Sequence, residues 1–439
     1  MFTRTQLIKL LAPLIVEQIL TVLVGMADVV MVAAVGEAAV SGVSLVDSIS
    51  ILIIQIMGAM ATGGAVVCSQ YLGKRQVRDA GTAAGQLVFV TLAISLGVTA
   101  VALAGNRRLL SAIFGQVERE VMDNAQTYFL ITAMSYPFIG LYNACAALFR
   151  SMGNAKVSMF TSLVMNGINI TGNAVCVFGL KMGVAGVAYP TLVSRMTAAV
   201  LIFVLLQNRH NEIRISGLKA LKPHSGMIRT ILSVGIPGGL ENGMFQFGKI
   251  FLQSLVSSLG TASIASYAVA CNLVTLLYLP GNALGLGLIT IVGQCVGAGK
   301  PREAMHYTKV LLAVNYLILA VLSTAMFFGT DLLVSFYNLS PEAAAISHVL
   351  LQAHCVALLV WAAAFTRPNA LRAALDARFT MAVSVFSMWA FRIGFAYLFV
   401  YLFDLGVPGV WYGMFIDWVF RALVFAGRFA GFEKRAMSV

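Results

Sequence analysis

Charged side chains are scarce in this sequence, and carboxylates are the scarcest of them. Asp, Glu, Lys and Arg make up 10% of the 439 residues, whereas about a quarter is usual in soluble globular proteins. Apolar residues make up 59%, and the mean hydropathy is +0.89. This shortage of charge excludes a soluble globular chain and indicates a polytopic membrane protein.

Patterns that hold metals, nucleotides or catalytic groups are also missing. The six cysteines stand singly without CxxC spacing, and the five histidines form no HExxH motif, so we expect no resident metal and no cofactor. The run GAGKP at 297–301 is not a P-loop, because Pro301 replaces the Ser or Thr. The scattered histidines supply no catalytic set, and the protein is therefore expected not to be an enzyme.

Apolar segments long enough to cross a bilayer, about twenty residues each, recur along the whole chain. They lie approximately at 10–35, 45–71, 81–105, 128–149, 157–180, 183–206, 231–258, 267–296, 306–328, 345–371, 378–402 and 407–429. The pattern predicts an all-α protein with twelve transmembrane helices. The first segment contains Glu17 and Asp28, so we interpret it as a retained helix and not as a cleaved signal peptide.

Basic residues are unevenly divided between the two ends of these segments. Loops on one side hold 20 of the 29 Lys and Arg residues, and basic loops stay on the cytoplasmic side of a membrane. We therefore expect a multi-pass protein of the cytoplasmic (inner) membrane with both termini in the cytoplasm. The net charge of +12 is largely this asymmetry, so nucleic acid is not an expected partner.

The two halves of the chain resemble each other at an offset of 224 residues. SQYLGKRQVRDA at 69–80 aligns with GQCVGAGKPREA at 293–304 without a gap. Because each half contains an even number of helices, both enter the membrane in the same direction. A pseudo-two-fold axis along the membrane normal should then relate two six-helix bundles. The predicted organisation is an N-terminal lobe at 1–206, a cytoplasmic linker at 207–230 and a C-terminal lobe at 231–439.

Asp28 lies inside the apolar stretch that runs from Pro13 to Gly36, where an unpaired carboxylate is costly. If the helix enters from the cytoplasm near Leu10, a rise of 1.5 Å per residue places Asp28 roughly 27 Å along it, in the outer half of the bilayer. Two interpretations stay open. Asp28 is either a cation-binding or proton-binding carboxylate, or a packing carboxylate that pairs with an internal base or amide.

Four motifs carry a resemblance in combination: GMADVVMVAAVG in the first helix, LFRSMGNAK before the fifth, GQCVGAGKPREA after the eighth and ALRAALDARF before the eleventh. Together they resemble the multidrug and toxic compound extrusion (MATE) family, within the wider superfamily that includes lipid-linked oligosaccharide flippases. The resemblance implies a secondary antiporter, expected to be monomeric and to use no nucleotide. It would export small organic cations or amphipathic compounds against inward protons or sodium. The rival is a flippase for a lipid-linked or polysaccharide precursor.

The fifth helix, VMNGINITGNAVCVFG, supplies the expected neighbours of Asp28. Asn169 and Asn173 are four residues apart and share one helix face. The resemblance implies that these two amides and Thr191 line the coupling site, where sodium at Asp28 is one option. In the proton-coupled branch an Asp stands at the position of Asn173, and an amide cannot take up a proton at neutral pH. The alternative is that the amides simply hold the bundle together.

Pro13 removes a backbone hydrogen bond and should weaken the first helix below mid-membrane. The resemblance suggests that bending at Pro13, coupled to the state of Asp28, helps to close the N-terminal cavity. A fixed kink is the alternative.

Glu17 and Glu241 occupy equivalent places in the two halves. Either they flank a central cavity between the lobes, or they cap the cytoplasmic closure by pairing with Lys or Arg from neighbouring helices. Met244 and Phe245 are further candidates for that cavity, and Phe245 stands where the sodium-coupled branch of the family has an acid. Arg367 is a candidate too, either neutralised by Glu241 or serving an anionic substrate group.

Several other charged residues lie within apolar segments and are expected to pair with one another or to extend toward the membrane surface. They are Asp47, Arg195, Lys249, Arg392, Asp417 and Arg421. A flippase would use arginines of this set, together with Arg367, in a large cationic cavity.

Overall fold

The computed structural model describes residues 1–115, 117–215 and 222–437, and within these ranges the chain is helical and contains no strand. The α-helices are α1 (Arg4–Ala33), α2 (Glu37–Gly73), α3 (Val77–Phe114), α4 (Arg119–Met134), α5 (Tyr136–Ser151), α6 (Ala155–Ala174), α7 (Ala185–Leu206), α8 (Ser225–Ser257), α9 (Thr261–Gly297), α10 (Pro301–Ser335), α11 (Pro341–Ala373), α12 (Ala377–Ser387), α13 (Gly394–Tyr401) and α14 (Gly406–Met437). A π-helical segment at Val175–Gly179 continues α6, and another at Met388–Ile393 joins α12 to α13.

These helices form twelve spans when the interrupted ones are joined. Helices α4 and α5 make one span that bends by 44°. In the described ranges nine helices are long and apolar enough to cross a membrane, and the bent pair brings the number to ten. The two remaining spans are α6, which carries the intramembrane asparagines, and α8, which carries the charged residues Glu241 and Lys249. Their polar side chains explain why apolar character alone does not identify them.

The chain divides into two compact units, Phe2–Gly239 and Leu240–Val439, the second joined by Met1. We call them the N-bundle and the C-bundle. The division falls inside α8, and this helix already begins at Ser225, within the predicted linker. Residues 216–221 of that linker lie outside the described part of the chain. The predicted boundaries at 206 and 231 therefore stay a prediction.

Small residues allow the helices of the N-bundle to approach one another closely. Helix α5 contains the run Ala144, Cys145, Ala146 and Ala147, each at most 1% exposed, and it packs against α2, α3 and α7. Side chains of this size let backbones come together where no hydrophobic effect drives helices toward each other. This packing holds the helices that position the polar cluster described below.

The chain after α7 is held against the N-bundle by Gln86 of α3. The Gln86 side chain donates to the carbonyl of Lys222 and accepts from the backbone N–H of His224, both at 2.8 Å. Ile213 is fully buried, and its N–H lies 3.2 Å from the sulfur of Met152. Both described parts of the linker therefore pack against the N-bundle.

The interior of the C-bundle is rich in aromatic side chains. Trp411 and Trp418 of α14 surround His354 of α11, with ring centres 5.7 and 5.3 Å from the imidazole. Tyr278 of α9 stacks on Trp361 with ring centres 4.9 Å apart. These rings join α9, α11 and α14 into one core, and edge-to-face contacts of this kind stabilise helix packing.

Candidate functional site

A chain of hydrogen bonds links Asp28 to three polar residues of the N-bundle. Asn173 donates from Nδ2 to Asp28 Oδ1 at 2.8 Å, which joins α6 to α1. The same Nδ2 is 3.3 Å from Asn169 Oδ1, one turn earlier on α6. Asn169 in turn donates to Thr191 Oγ1 of α7 at 3.0 Å. The structure thus brings together the four residues that the sequence grouped, although their role in ion coupling stays a prediction.

This chain of hydrogen bonds is buried and ends on the backbone of α7. Asn173 is fully buried, Asn169 and Thr191 are 6% and 8% exposed, and Thr191 donates onward to the carbonyl of Val187. Asn173 Oδ1 is buried and has no hydrogen-bond partner. A buried acceptor without a partner is costly, and it therefore points to a donor or a cation that completes the cluster in use.

Two further charged residues act on Asp28. Asp47 of α2 and Arg195 of α7 interact with it electrostatically, and Asp47 accepts a hydrogen bond from Tyr128 at 3.3 Å. Arg195 donates to Ser135 Oγ at 2.7 Å, at the bend between α4 and α5. Asp28, Asp47 and Arg195 therefore carry two negative charges and one positive charge. The excess of one negative charge favours a cation or a proton.

The donor set also bears on whether sodium fits here. Among the described residues no group of three or more His, Cys, Asp or Glu side chains is arranged to hold a metal. Asp28 and the unpaired Asn173 Oδ1 nevertheless supply the carboxylate and carbonyl oxygens that hard cations prefer. The cluster fits a weakly held cation with few protein ligands, and it fits a proton equally well.

Pro13 lies inside α1, which continues as one helix from Arg4 to Ala33. Its side chain is buried, as are those of Leu10 and Leu14 beside it. Proline cannot donate the backbone hydrogen bond that this position would otherwise make. The helix therefore has a weak point about four turns before Asp28, and the role of Pro13 as a hinge stays a prediction.

Glu17 and Glu241 each pair with an arginine of a neighbouring helix in their own bundle. Glu17 is 3.8 Å from Arg150 and accepts from Ser158 at 2.9 Å. Arg372 donates to both oxygens of Glu241 at 2.7 Å. Of the two alternatives for these carboxylates, these contacts favour ion pairing. Sequence reasoning did not name these two arginines, although each is the third residue of its motif, Arg150 in LFRSMGNAK and Arg372 in ALRAALDARF.

Arg367 does not pair with Glu241, because Arg372 occupies that carboxylate. Arg367 instead donates to the carbonyl of Ala422 on α14 at 3.3 Å. The proposed neutralisation of Arg367 by Glu241 is therefore wrong. Arginine reaches this carbonyl because its long side chain can cross from α11 to α14.

Phe245 is surrounded by cations instead of lining an apolar surface alone. The charged groups of Lys249, Arg392 and Arg421 lie 5.7, 5.1 and 5.5 Å from the centre of its ring. These are cation–π distances. Met244 precedes it on α8 and is half-buried. The position at which the sodium-coupled branch of the family has an acid thus holds an aromatic ring among positive charges.

The arginines that would serve a flippase make contacts inside their own bundles. Arg421 is 2% exposed and pairs with Asp417 at 2.7 Å, while Arg392 lies 3.9 Å from the same carboxylate. Arg195 and Arg367 have the partners described above. The flippase alternative therefore stays a prediction.

Two helical bundles with carboxylates inside the membrane-spanning helices are typical of polytopic transporters built from repeats. A solved structure of a multidrug resistance MATE family transporter in an outward-facing conformation has this fold. It matches with a TM-score of 0.92 at 20% identity and covers 98% of this chain and 96% of that chain.

The profile of the MatE family matches residues 13–175 and 237–398, one match in each half. The chain belongs to this family, the MATE transporters. The membership confirms the predicted family and the all-helical fold of twelve spans in two bundles, and it makes the protein a multi-pass membrane transporter and not an enzyme.

Two relatives cover nearly the whole chain. The uncharacterized transporter YisQ of Bacillus subtilis is 27% identical over 426 residues, which are 95% of this chain and 92% of YisQ. The probable multidrug resistance protein NorM of Thermotoga maritima is 26% identical over 441 residues, which are 99% of this chain and 94% of NorM. Both relatives thus extend across the N-bundle and the C-bundle.

Proposed function

We propose that this protein is a secondary antiporter that exports small organic cations or amphipathic drugs and toxins in exchange for inward protons or sodium ions. The observation that carries the proposal is the hydrogen-bond chain from Asp28 through Asn173 and Asn169 to Thr191. The multidrug resistance function named for the Thermotoga maritima relative supports the substrate class. Lipid is the surrounding partner, and the coupling ion is the only further component required.

The ion acts at Asp28 and Asn173. A proton on Asp28 turns one carboxylate oxygen into a donor for the unpaired Asn173 Oδ1, and a sodium ion satisfies the same atom as an oxygen ligand. Either ion also removes the excess negative charge of the cluster. Asn173 cannot itself be protonated, so each transport cycle depends on the single carboxylate of Asp28.

Alternating access converts this binding into transport. An ion shifts a conformational equilibrium only by its different affinity for the two states. Loading Asp28 therefore favours the state that releases substrate outward, and ion release to the cytoplasm resets it. Pro13 is the point on α1 where bending requires the least loss of backbone hydrogen bonding. The protein works as a monomer in the inner membrane with both termini in the cytoplasm.

Efflux from proteoliposomes tests the proposal. The vesicles are loaded with a fluorescent organic cation, and a pH gradient and a sodium gradient are imposed in separate experiments. The proposed antiport predicts efflux that is accelerated by one of these gradients and that stops when an ionophore collapses it. Efflux that is indifferent to both gradients contradicts antiport.

A further inference from the structure

The C-bundle contains a half-open cavity of about 370 Å³ that the proposed ion coupling does not use. Helices α8, α9 and α14 and the π-helical segment Met388–Ile393 form its walls. Lys249 and Arg392 contribute the charged side chains, while Tyr267, Tyr278 and Trp411 contribute aromatic ones. A volume of this size falls in the range of small-molecule sites, which is about 300–1,000 Å³.

Positive charge around the cavity exceeds negative charge. Lys249, Arg392 and Arg421 surround Phe245, and the carboxylate beside them is Asp417. Arg421 takes one Asp417 oxygen, and Ser387 donates to that same oxygen. In the described part of the chain no carboxylate lies within ion-pair distance of Lys249. Three cations and one anion leave an excess of two positive charges, and uncompensated charge inside a membrane protein is costly.

The two cations at the cavity wall have donors to spare. Lys249 lines the cavity, and its ammonium lies 5.7 Å from the ring centre of Phe245. Arg392 uses one terminal nitrogen on the sulfur of Met414 at 2.9 Å, whereas its Nε is buried and has no hydrogen-bond partner. Guanidinium and ammonium groups can only donate hydrogen bonds. The cavity therefore offers donors to an acceptor that carries negative charge.

Hydrogen bonds fix the aromatic wall of the cavity. The indole N–H of Trp411 can only donate, and it is 3.1 Å from His354 Nδ1, so Nδ1 must be the accepting nitrogen. The neutral imidazole then carries its hydrogen on Nε2, which is 3.0 Å from the hydroxyl of Tyr278. The rings of Trp411 and Tyr278, which line the cavity, are thereby held in place through His354.

From these contacts we infer that the C-bundle cavity binds the carboxylate of an aromatic organic anion, with Lys249 and Arg392 on the carboxylate and Tyr267 and Trp411 against the ring. Leu252, which the internal repeat places at the position of Asp28, lines this cavity. The two bundles therefore select opposite charges, a cation at Asp28 and an organic anion at Lys249. This binding does not depend on the proposed antiport function.

The test uses naphthoate as probe and the neutral, nearly isosteric naphthamide as its partner. Both are titrated by calorimetry into the full-length protein in a neutral detergent. The wild-type protein should bind naphthoate at least about tenfold more tightly than naphthamide, which corresponds to 1.4 kcal/mol. Lys249→Met should remove this preference, and Lys249→Arg should keep it. The matched control is Lys156→Met, because Lys156 is exposed at the start of α6 in the N-bundle and does not line the cavity.

Three results would overturn the inference. They are equal binding of naphthoate and naphthamide by the wild type, an unchanged preference in Lys249→Met, and displacement of naphthoate by added phosphatidylglycerol, which would make the site a lipid site. The arginine variant shows that a loss in Lys249→Met reflects charge and not misfolding. Selective binding of naphthoate without any gradient-driven efflux would support this site and reject the antiport. Gradient-driven efflux without selective binding of naphthoate would support the antiport and reject this site.

Discussion

Asn173 of α6 donates a hydrogen bond of 2.8 Å to Asp28 of α1, and its own side-chain oxygen is buried without a partner. A proton on Asp28 would give that oxygen a hydrogen-bond donor, and a sodium ion would give it a cation. The state of the carboxylate is thereby coupled to the packing of two helices of the N-bundle.

Replacing Asn173 by Leu should reduce ion-driven efflux by at least about tenfold. A hydrogen bond to a charged group contributes about 1.5–3 kcal/mol, and the leucine side chain is similar in size to asparagine but has no donor. The matched control is Asn166→Leu, because Asn166 lies on the same helix and is buried but has only a contact of 3.5 Å with Ser162. Efflux rates in proteoliposomes decide the matter. Equal losses in both variants would assign the effect to general packing of α6.

Thr191 should act through its hydroxyl and not through its methyl group. Thr191→Val removes the acceptor of Asn169 Nδ2, and one neutral hydrogen bond is worth about 0.5–1.5 kcal/mol, so efflux should fall roughly two- to tenfold. Thr191→Ser keeps the hydroxyl and should stay near the wild-type rate. A serine variant as impaired as the valine variant would contradict this chain of hydrogen bonds.

The ion pair of Glu241 and Arg372 should stabilise the fold more than it serves transport. Glu241→Gln leaves Arg372, whose side chain is 22% exposed, without its charged partner, and should lower the free energy of unfolding by about 1–3 kcal/mol. Thermal unfolding in detergent measures this. Lys300 is the control, because its side chain is 52% exposed in its pair with Glu303 and water weakens exposed ion pairs. A larger loss in Lys300→Ala than in Glu241→Gln would contradict this ranking.

Gly413 allows α14 to pack directly on the backbone next to Arg392. A Cβ at this position would lie 2.8 Å from the carbonyl oxygen of Arg392 and from the nitrogen of Ala396. Gly413→Ala should therefore destabilise the protein by about 1–3 kcal/mol. Gly427 on the same helix has no atom within 4 Å of such a Cβ, and Gly427→Ala should be harmless. Equal unfolding temperatures for the two variants would refute the close approach.

Much of this fold follows from the sequence, because spans of about twenty apolar residues and a repeat at a fixed offset leave few arrangements. The spacing of Asn169 and Asn173 already places both on one face of α6. Spacing cannot decide which of several arginines reaches a given carboxylate. Glu241 therefore had two candidate roles until the structure gave it Arg372.

The charge cluster around Phe245 was hidden for the same reason. Lys249, Arg392 and Arg421 come from separate helices and meet only through long-range packing. The unpaired Asn173 Oδ1 was equally invisible, since an orphaned acceptor is a property of side-chain geometry and not of residue type.

The proposed antiport depends above all on the carboxylate of Asp28, which holds the coupling ion together with Asn173. The most direct test compares wild type and Asp28→Asn in proteoliposomes that contain equal amounts of folded protein, checked by their unfolding temperatures. The asparagine variant should still bind the organic cation, but a pH or sodium gradient should no longer accelerate its efflux. Gradient-driven efflux by Asp28→Asn at the wild-type rate would contradict the proposed role of Asp28.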